Sequence, residues 1–202
     1  MGVRSIHETA VINAPLRLLS GCVESKMAPT VNTVLPEVCF IGPYCVVGTG
    51  VTIGERVVLD SYTSVDPGVI IGDDTIVIYR ASIGGGAKIG KNCVIGGFIP
   101  ENTVIGDRSR ILGTLTHLHS DASMDWDHHE DSEDSPVVES DVFVGLGALV
   151  VGGVKLGRKS YICAGAVVNS DVPEKHIVSR GGKVIHYREW NGKLRHSPFF
   201  LG

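Results

Sequence analysis

Aromatic residues are scarce in this chain, 6% of its 202 positions, and neither sign of charge dominates: 18 Lys and Arg stand against 22 Asp and Glu, a formal net charge of −4. With no positive excess there is no extended basic surface, which argues against nucleic acid or an anionic membrane as the main partner. No run approaches the ~18 apolar residues of a membrane span, and the N-terminus lacks the charged-then-apolar layout of a signal peptide. The five cysteines, Cys22, Cys39, Cys45, Cys93 and Cys163, are odd in number and scattered, without C-x-x-C spacing. A secreted disulfide scaffold and a zinc finger are therefore disfavoured, and reduced thiols packed as small hydrophobes are expected. What these absences leave is a cytoplasmic protein that acts on small molecules.

What the chain does have is glycine, 26 residues of it, within an apolar content of 43%. Together with many Val and Ile this predicts short strands joined by tight turns and disfavours a helical bundle. The strands have a period. Stepping by six from Leu35 meets Ile41, Val47, Ile53, Leu59, Val65, Ile71, Val77, Ile83, Ile89 and Ile95 without a failure, and such internal repetition decides the fold before anything else does. The residue after the anchor is Gly at 42, 48, 54, 72, 84, 90 and 96 and Asp at 60 and 66, types that tolerate sharp corners. Four residues past each anchor comes a second inward position, filled by the small or β-branched Cys45, Val51, Val57, Thr63, Val69, Thr75, Ala81, Ala87 and Cys93.

A six-residue segment cannot bury its apolar side alone. Three of them around a triangle, with coils stacked, make a continuous core and pair each strand with those above and below. The fold expected is thus all-β, a parallel β-helix over residues 35–185, with 1–34 as an N-terminal extension capping the first coil and 186–202 as a C-terminal tail packed on the helix or on a neighbouring chain. The frame breaks at Glu101, resumes with Ile105-Gly106 and Leu112-Gly113, and gives way to a polar loop over 118–135. It returns as Val138, Val144, Val150, Leu156, Ile162 and Val168, until Asp171-Val-Pro173 ends the repeats, since proline cannot donate to a ladder.

The repeat, the extruded loop and the segment Gly145 to Ile185 resemble the hexapeptide-repeat acyltransferases, left-handed β-helices that act as homotrimers; the likeness covers residues 35–185. Handedness and trimerisation come from the resemblance, since the general rule for parallel crossovers is right-handed. Within the family, Gly113-Thr-Leu-Thr-His117, Pro136-Val-Val and Asp141-Val-Phe-Val-Gly145 are similar to the sugar and xenobiotic acetyltransferases, and Ile162 to Ile185 looks like their coenzyme A segment. The resemblance implies transfer from acetyl-CoA to a hydroxyl or amine of a small acceptor. His117 would be the general base and the backbone N–H of Leu146 the oxyanion donor. Coenzyme A would lie against Leu146 and Ala164.

Acyl transfer needs a base near neutrality, which suits histidine. His119 is the rival base, since some relatives place the histidine a few residues before an Asp-Trp pair and Asp125-Trp126 follows here. Where relatives carry a basic residue after Val-Val-Thr this chain has Ser170, and Ser179-Arg180-Gly181-Gly182 replaces a longer bend; the resemblance then leaves Arg180 and Lys183 as candidates for the cofactor phosphates, set against the plainer reading of exposed surface charge. In the loop, Asp121, Asp125 and Trp126 are candidate acceptor-binding residues, set against the plainer reading of a solvated acidic flap. Two other functions stand beside the transferase. One is a γ-carbonic-anhydrase-like metalloenzyme, suggested by His117, His119, His128 and His129 but lacking that family's His-x-x-x-x-His spacing. The other is a non-catalytic trimeric scaffold. For the transferase no metal is expected.

Overall fold

The computed structural model describes residues 4–14, 32–118 and 134–201. They form an all-β left-handed parallel β-helix of about seven turns. Its first face begins with Ser5–Ile6, Cys39–Ile41 and Val57–Leu59 and climbs through Ile76–Val77, Val94–Ile95, Arg110–Ile111 and Phe143–Val144 to Tyr161–Ile162 and His176–Val178. The second face runs from Val11–Ala14 through Phe98–Ile99 and continues as Thr114–Thr116, Leu149–Val151 and Val167–Val168; the third runs from Thr52–Ile53 to Lys155–Leu156. Vertical neighbours in the regular part are separated by three hexapeptides, as in Ile53, Ile71 and Ile89.

The inward columns are those the period predicts. From Ile41 to Ile95 every anchor is at most 3% exposed, and the small column from Cys45 to Cys93 is sealed as well. Corners form columns of their own. Where the third face turns into the first, Arg56, Asp74, Asn92, Arg108, Asp141, Lys159 and Lys175 all have φ between 55° and 63°. The left-handed region normally disfavours side chains, so each of these residues is held there by the ladders on either side of it.

Register departs from six in two ways. The first is a shortened corner. Ile83 pairs with Ile99 and Ile95 with Ile111, so these coils fall two residues short of three hexapeptides. The shortening lies at Gly96-Gly97, where a Cβ on Gly97 would collide with the carbonyl oxygen of Gly113 in the coil above. It recurs at that upper corner, where the inward Ile111 is followed by the inward Leu115. Ile111 is fully buried, in place of Leu112, which the pattern of an apolar anchor before a glycine selects. The second departure is the polar segment: Ile105 pairs with Val138 and Ile111 with Val144, so the ladder passes over the insertion and the prism continues undisturbed above it.

Both ends extend further than the repeat suggests. Ser5 and Ile6 pair with Phe40 and Ile41, Val11 and Ile12 with Val46 and Val47, and Val34 bridges Thr52, so the described N-terminal residues add strands of the same prism; residues 15–31 of the expected extension lie outside the described residues. Beyond Pro173, Ile177 and Val178 still pair with Tyr161 and Ile162, and only then does Val184–His186 reverse direction as an antiparallel neighbour. The tail folds back on the first face, burying Tyr187 and Phe200 against Ile177 and setting Phe199 edge-on to Tyr161, which stacks on Phe143. Cys39, Cys45 and Cys93 are buried and Cys163 is half-buried, all as free thiols. Burial raises the pKa of Cys39, Cys93 and Cys163, which keeps them protonated and unreactive.

Charged residues stack as the apolar ones do. Arg108 holds Asp141 at 2.7 and 2.9 Å and Arg158 adds a contact at 3.3 Å, so the Asp141 carboxyl is held below the usual carboxylate range, first by its hydrogen bond with Arg108. A depressed native pKa adds stability above the unfolded value and loses it as pH falls through the native one. Asp141→Asn should therefore lower the thermal midpoint at pH 7, and its deficit relative to wild type should close as the pH drops below about 4. In the core, Leu115→Ala, a truncation at a fully buried side chain, should cost about 2–5 kcal/mol in urea unfolding.

Candidate active site

Strand Thr114–Thr116 is the last element before the polar segment, and it pairs residue by residue with Leu149, Val150 and Val151. The amide of Gly152 donates to the carbonyl of Thr116 at 2.8 Å, which pins the chain at the point where it leaves the coil. His117 is the next residue. One coil below, strand Phe98–Ile99 leads into a corner that holds Glu101, followed by Asn102 at φ 57°. Glu101 and His117 each stand two residues past the inward anchors Ile99 and Leu115 on the second face, so the two side chains lie one above the other. His117 Nε2 is 3.3 Å from Glu101 Oε2, with the side chains 11% and 15% exposed.

The surroundings are built for that approach. The amide of Asn102 donates to the carbonyl of Gly85 at 2.9 Å, and a Cβ on Gly84 would lie 2.6 Å from the nitrogen of Glu101, so only glycine lets this corner settle onto the coil beneath. Ser135, where the chain returns, donates its hydroxyl to the carbonyl of Glu101. Exit, return and carboxylate thus meet at one corner. Because a carboxylate only accepts, Nε2 of the neutral ring carries the proton and Nδ1 is the basic nitrogen. Nδ1 is buried.

Other candidates fall elsewhere. Leu146 is 74% exposed at the corner between the first and second faces, and Ala164 occupies the same corner one coil higher, where the Gly165 amide donates to the Leu146 carbonyl at 3.1 Å. Arg180 follows above, its Nε 3.9 Å from where a Gly165 side chain would begin. Leu146, Ala164 and Arg180 therefore form one column. Ser170 and Lys183 are exposed, Ser170 past Val167–Val168 and Lys183 closing the turn of the last hairpin, where its amide donates to the Ser179 hydroxyl. His117, however, sits past the far end of the second-face strand that Leu146 precedes, roughly 15–20 Å away at the rise of an extended chain. One chain does not bring base and proposed oxyanion donor together. His119, Asp121, Asp125, Trp126, His128 and His129 lie outside the described residues.

Glu101 is the residue the sequence reading passed over, marking it only as the place where the frame fails. Its signal was available: once the corners at Gly96-Gly97 and Leu112-Gly113 are both counted as two residues short, 101 and 117 fall on one vertical line. A groove of about 710 Å³ on the first face, floored by Ile76, Val94 and Phe143 and walled by Phe199, has no histidine in its lining and faces away from this pair. No helix among the described residues is long and apolar enough to cross a membrane.

Fold and site together define a hexapeptide-repeat β-helix protein with a histidine–carboxylate pair where a segment leaves the prism. The family model for the hexapeptide repeat of succinyl-transferase matches residues 37–67 and 137–170, on either side of that pair. The bifunctional protein GlmU of Clostridium botulinum is 26% identical over 179 residues, covering 80% of this chain and 37% of its own length; that of Synechococcus elongatus is 29% identical over 171 residues, with 77% and 36% covered. The chain thus spans little more than a third of the curated relatives it matches. Among solved structures, LpxA from Acinetobacter baumannii is similar at 17% identity and a TM-score of 0.44 over 89% of this chain and 73% of that one. A Bacillus cereus putative acetyltransferase has 16% identity and a TM-score of 0.44, over 77% and 78%. The chain carries the repeat of the hexapeptide acyltransferases and resembles them.

Removing the carboxylate strips a mostly buried imidazole of its charged partner. Glu101→Ala should cost about 1–3 kcal/mol of stability in urea unfolding, and Glu101→Gln, which can still accept a hydrogen bond, should cost less.

Proposed function

We propose that this chain is an acyltransferase that moves an acyl group, acetyl in the reading favoured here, from acyl-CoA to a hydroxyl or amine of a small acceptor such as a sugar or an antibiotic-like compound. The observation that carries the proposal is the contact between His117 Nε2 and Glu101 Oε2 at the foot of the extruded segment. Support from relatives is coarser: the matching repeat is that of a succinyl-transferase, itself an acyl-transfer enzyme.

In the proposed reaction the acceptor gives its proton to the His117 imidazole as its lone pair attacks the thioester carbonyl. Glu101 orients the ring and stabilises the imidazolium that forms. The tetrahedral oxyanion accepts a hydrogen bond from the Leu146 N–H, and collapse expels the thiolate, which takes the proton back from the imidazolium to leave free coenzyme A and the acylated product. This scheme needs neither a metal nor a covalent enzyme intermediate, in keeping with cysteines whose thiols burial holds protonated.

Since His117 and Leu146 of one chain lie at opposite ends of a face, the donor in this scheme comes from a neighbouring copy, as in the homotrimer that the family resemblance implies. The corner column of Leu146, Ala164 and Arg180 would then line the cofactor groove with Ser170, and Arg180 and Lys183 would meet its phosphates. Asp121, Asp125 and Trp126 would bind the acceptor, in a cytoplasmic enzyme.

Thiol release from acetyl-CoA, measured with a panel of amino sugars and hydroxylated acceptors, tests the reading. His117→Ala should reduce kcat by about 100- to 10,000-fold with the assembly and coenzyme A binding intact. Glu101→Gln should lower kcat with little change in KM. Turnover kept in His117→Ala but lost in His119→Ala would move the base by two residues. A wild-type protein that neither releases thiol nor gains thermal stability from coenzyme A would end the proposal.

A further inference from the structure

Near the top of the prism a histidine stands where the coils from Cys39 to Ser160 carry a small or β-branched residue. The inward column at the start of the first-face strands reads Cys39, Val57, Thr75, Cys93, Ser109, Val142 and Ser160, and the pairing of Tyr161 with Ile177 puts His176 next in line. An imidazole fits there because no parallel coil of the described chain lies above it. What lies beside it is the returning strand, whose His186 is the direct cross-strand partner of His176.

The hydrogen bonds define the kind of pair. The amide of Tyr187 donates to the carbonyl of Lys175 at 3.1 Å, one residue outside the two histidines. That pattern makes 176 and 186 a non-hydrogen-bonded pair, the type in which the Cα atoms are about 4.5 Å apart and opposed side chains come nearest. The ring centroids are 5.1 Å apart, at 68°. Two imidazoles that each donate one nitrogen to a metal at about 2.0–2.1 Å, at a tetrahedral angle, have centroids roughly 5 Å apart.

The orientation of the His176 ring suits the same purpose. His176 Nδ1 lies 2.8 Å from the carbonyl oxygen of Glu174. A carbonyl cannot donate, so Nδ1 holds the proton and Nε2 of the neutral ring presents its lone pair. A backbone carbonyl on the second nitrogen is the usual support of a metal-bound histidine. The nearby side chains of Glu174 and Lys175 pair with each other at 3.4 Å, so neither leaves an unbalanced cation beside the rings.

We infer that His176 and His186 form a two-histidine site for a late divalent transition cation such as Zn²⁺ or Cu²⁺, completed by water, that clasps the last hairpin over the end of the prism. This site is separate from the Glu101–His117 pair and does not depend on the transferase reading. Among the described residues no cluster of three or more metal-ligating side chains occurs, so the site would bind reversibly and act as a clasp sensitive to metal supply.

The test uses the full chain, stripped with EDTA and titrated with ZnCl2 while the thermal midpoint and bound stoichiometry are followed. Wild type should bind near one equivalent and gain stability. His176→Gln and His186→Gln should fold in EDTA as wild type does and lose that gain. Loss of a group that only hydrogen-bonds to a ligand costs about 10–100-fold in affinity, so loss of a ligand itself should cost at least as much. A readout free of mutation is carbethoxylation of the wild-type histidines mapped by mass spectrometry: Zn²⁺ should shield His176 and His186 together. A zinc response unchanged in both variants, shielding confined to other histidines, or no zinc response at all would each overturn the inference.

Discussion

Stacked corners are the constraint on which everything else in this molecule depends. Each face is a ladder of strands only two to four residues long, too short to persist singly, and a ladder continues only where each coil turns directly above the one below. A column of residues held at positive φ keeps the turns aligned and carries Arg, Asp, Asn and Lys side chains in a conformation they rarely adopt. Local preference would unwind them. The hydrogen bonds and the sealed inner columns on either side hold them in place, so stability belongs to the stack and to no one hexapeptide.

Where the stack departs from its own rule, it gathers chemistry. Shortening the corner at Gly96-Gly97 and again above it brings Glu101 and His117 onto one vertical line, each borne by a strand whose neighbours are locked. A polar pair supported in this way is held in one geometry by the strands that carry it.

Much of this was legible in the sequence, because a repeating inward position needs no tertiary knowledge to be recognised. Ile41 through Ile95 and the small column beside them are where the period puts them, and His117 falls at the visible failure of the pattern. Glu101 was missed for a mechanical reason: counting by six assumes equal corners, and a corner short by two moves every later partner. Leu112 was placed inside in place of Ile111 because it precedes a glycine, as most anchors below it do. The strands at Ser5, Val11 and Ile177 escaped notice because partners across a ladder carry no common spacing once the repeat is irregular. The positions of Asp121, Asp125 and Trp126 follow no period at all.

A tube of parallel strands has an intrinsic hazard, since each open end is a template for another tube. At the lower end of the described residues Arg4 donates its guanidinium to the carbonyls of Leu35 and Pro36 and so satisfies both. At the upper end of the described residues Val184–His186 lies antiparallel to its neighbour, so the run of parallel pairs on the first face stops there. The last hairpin thus ends the run of parallel pairing on this face, and it does so by direction of chain more than by any particular side chain.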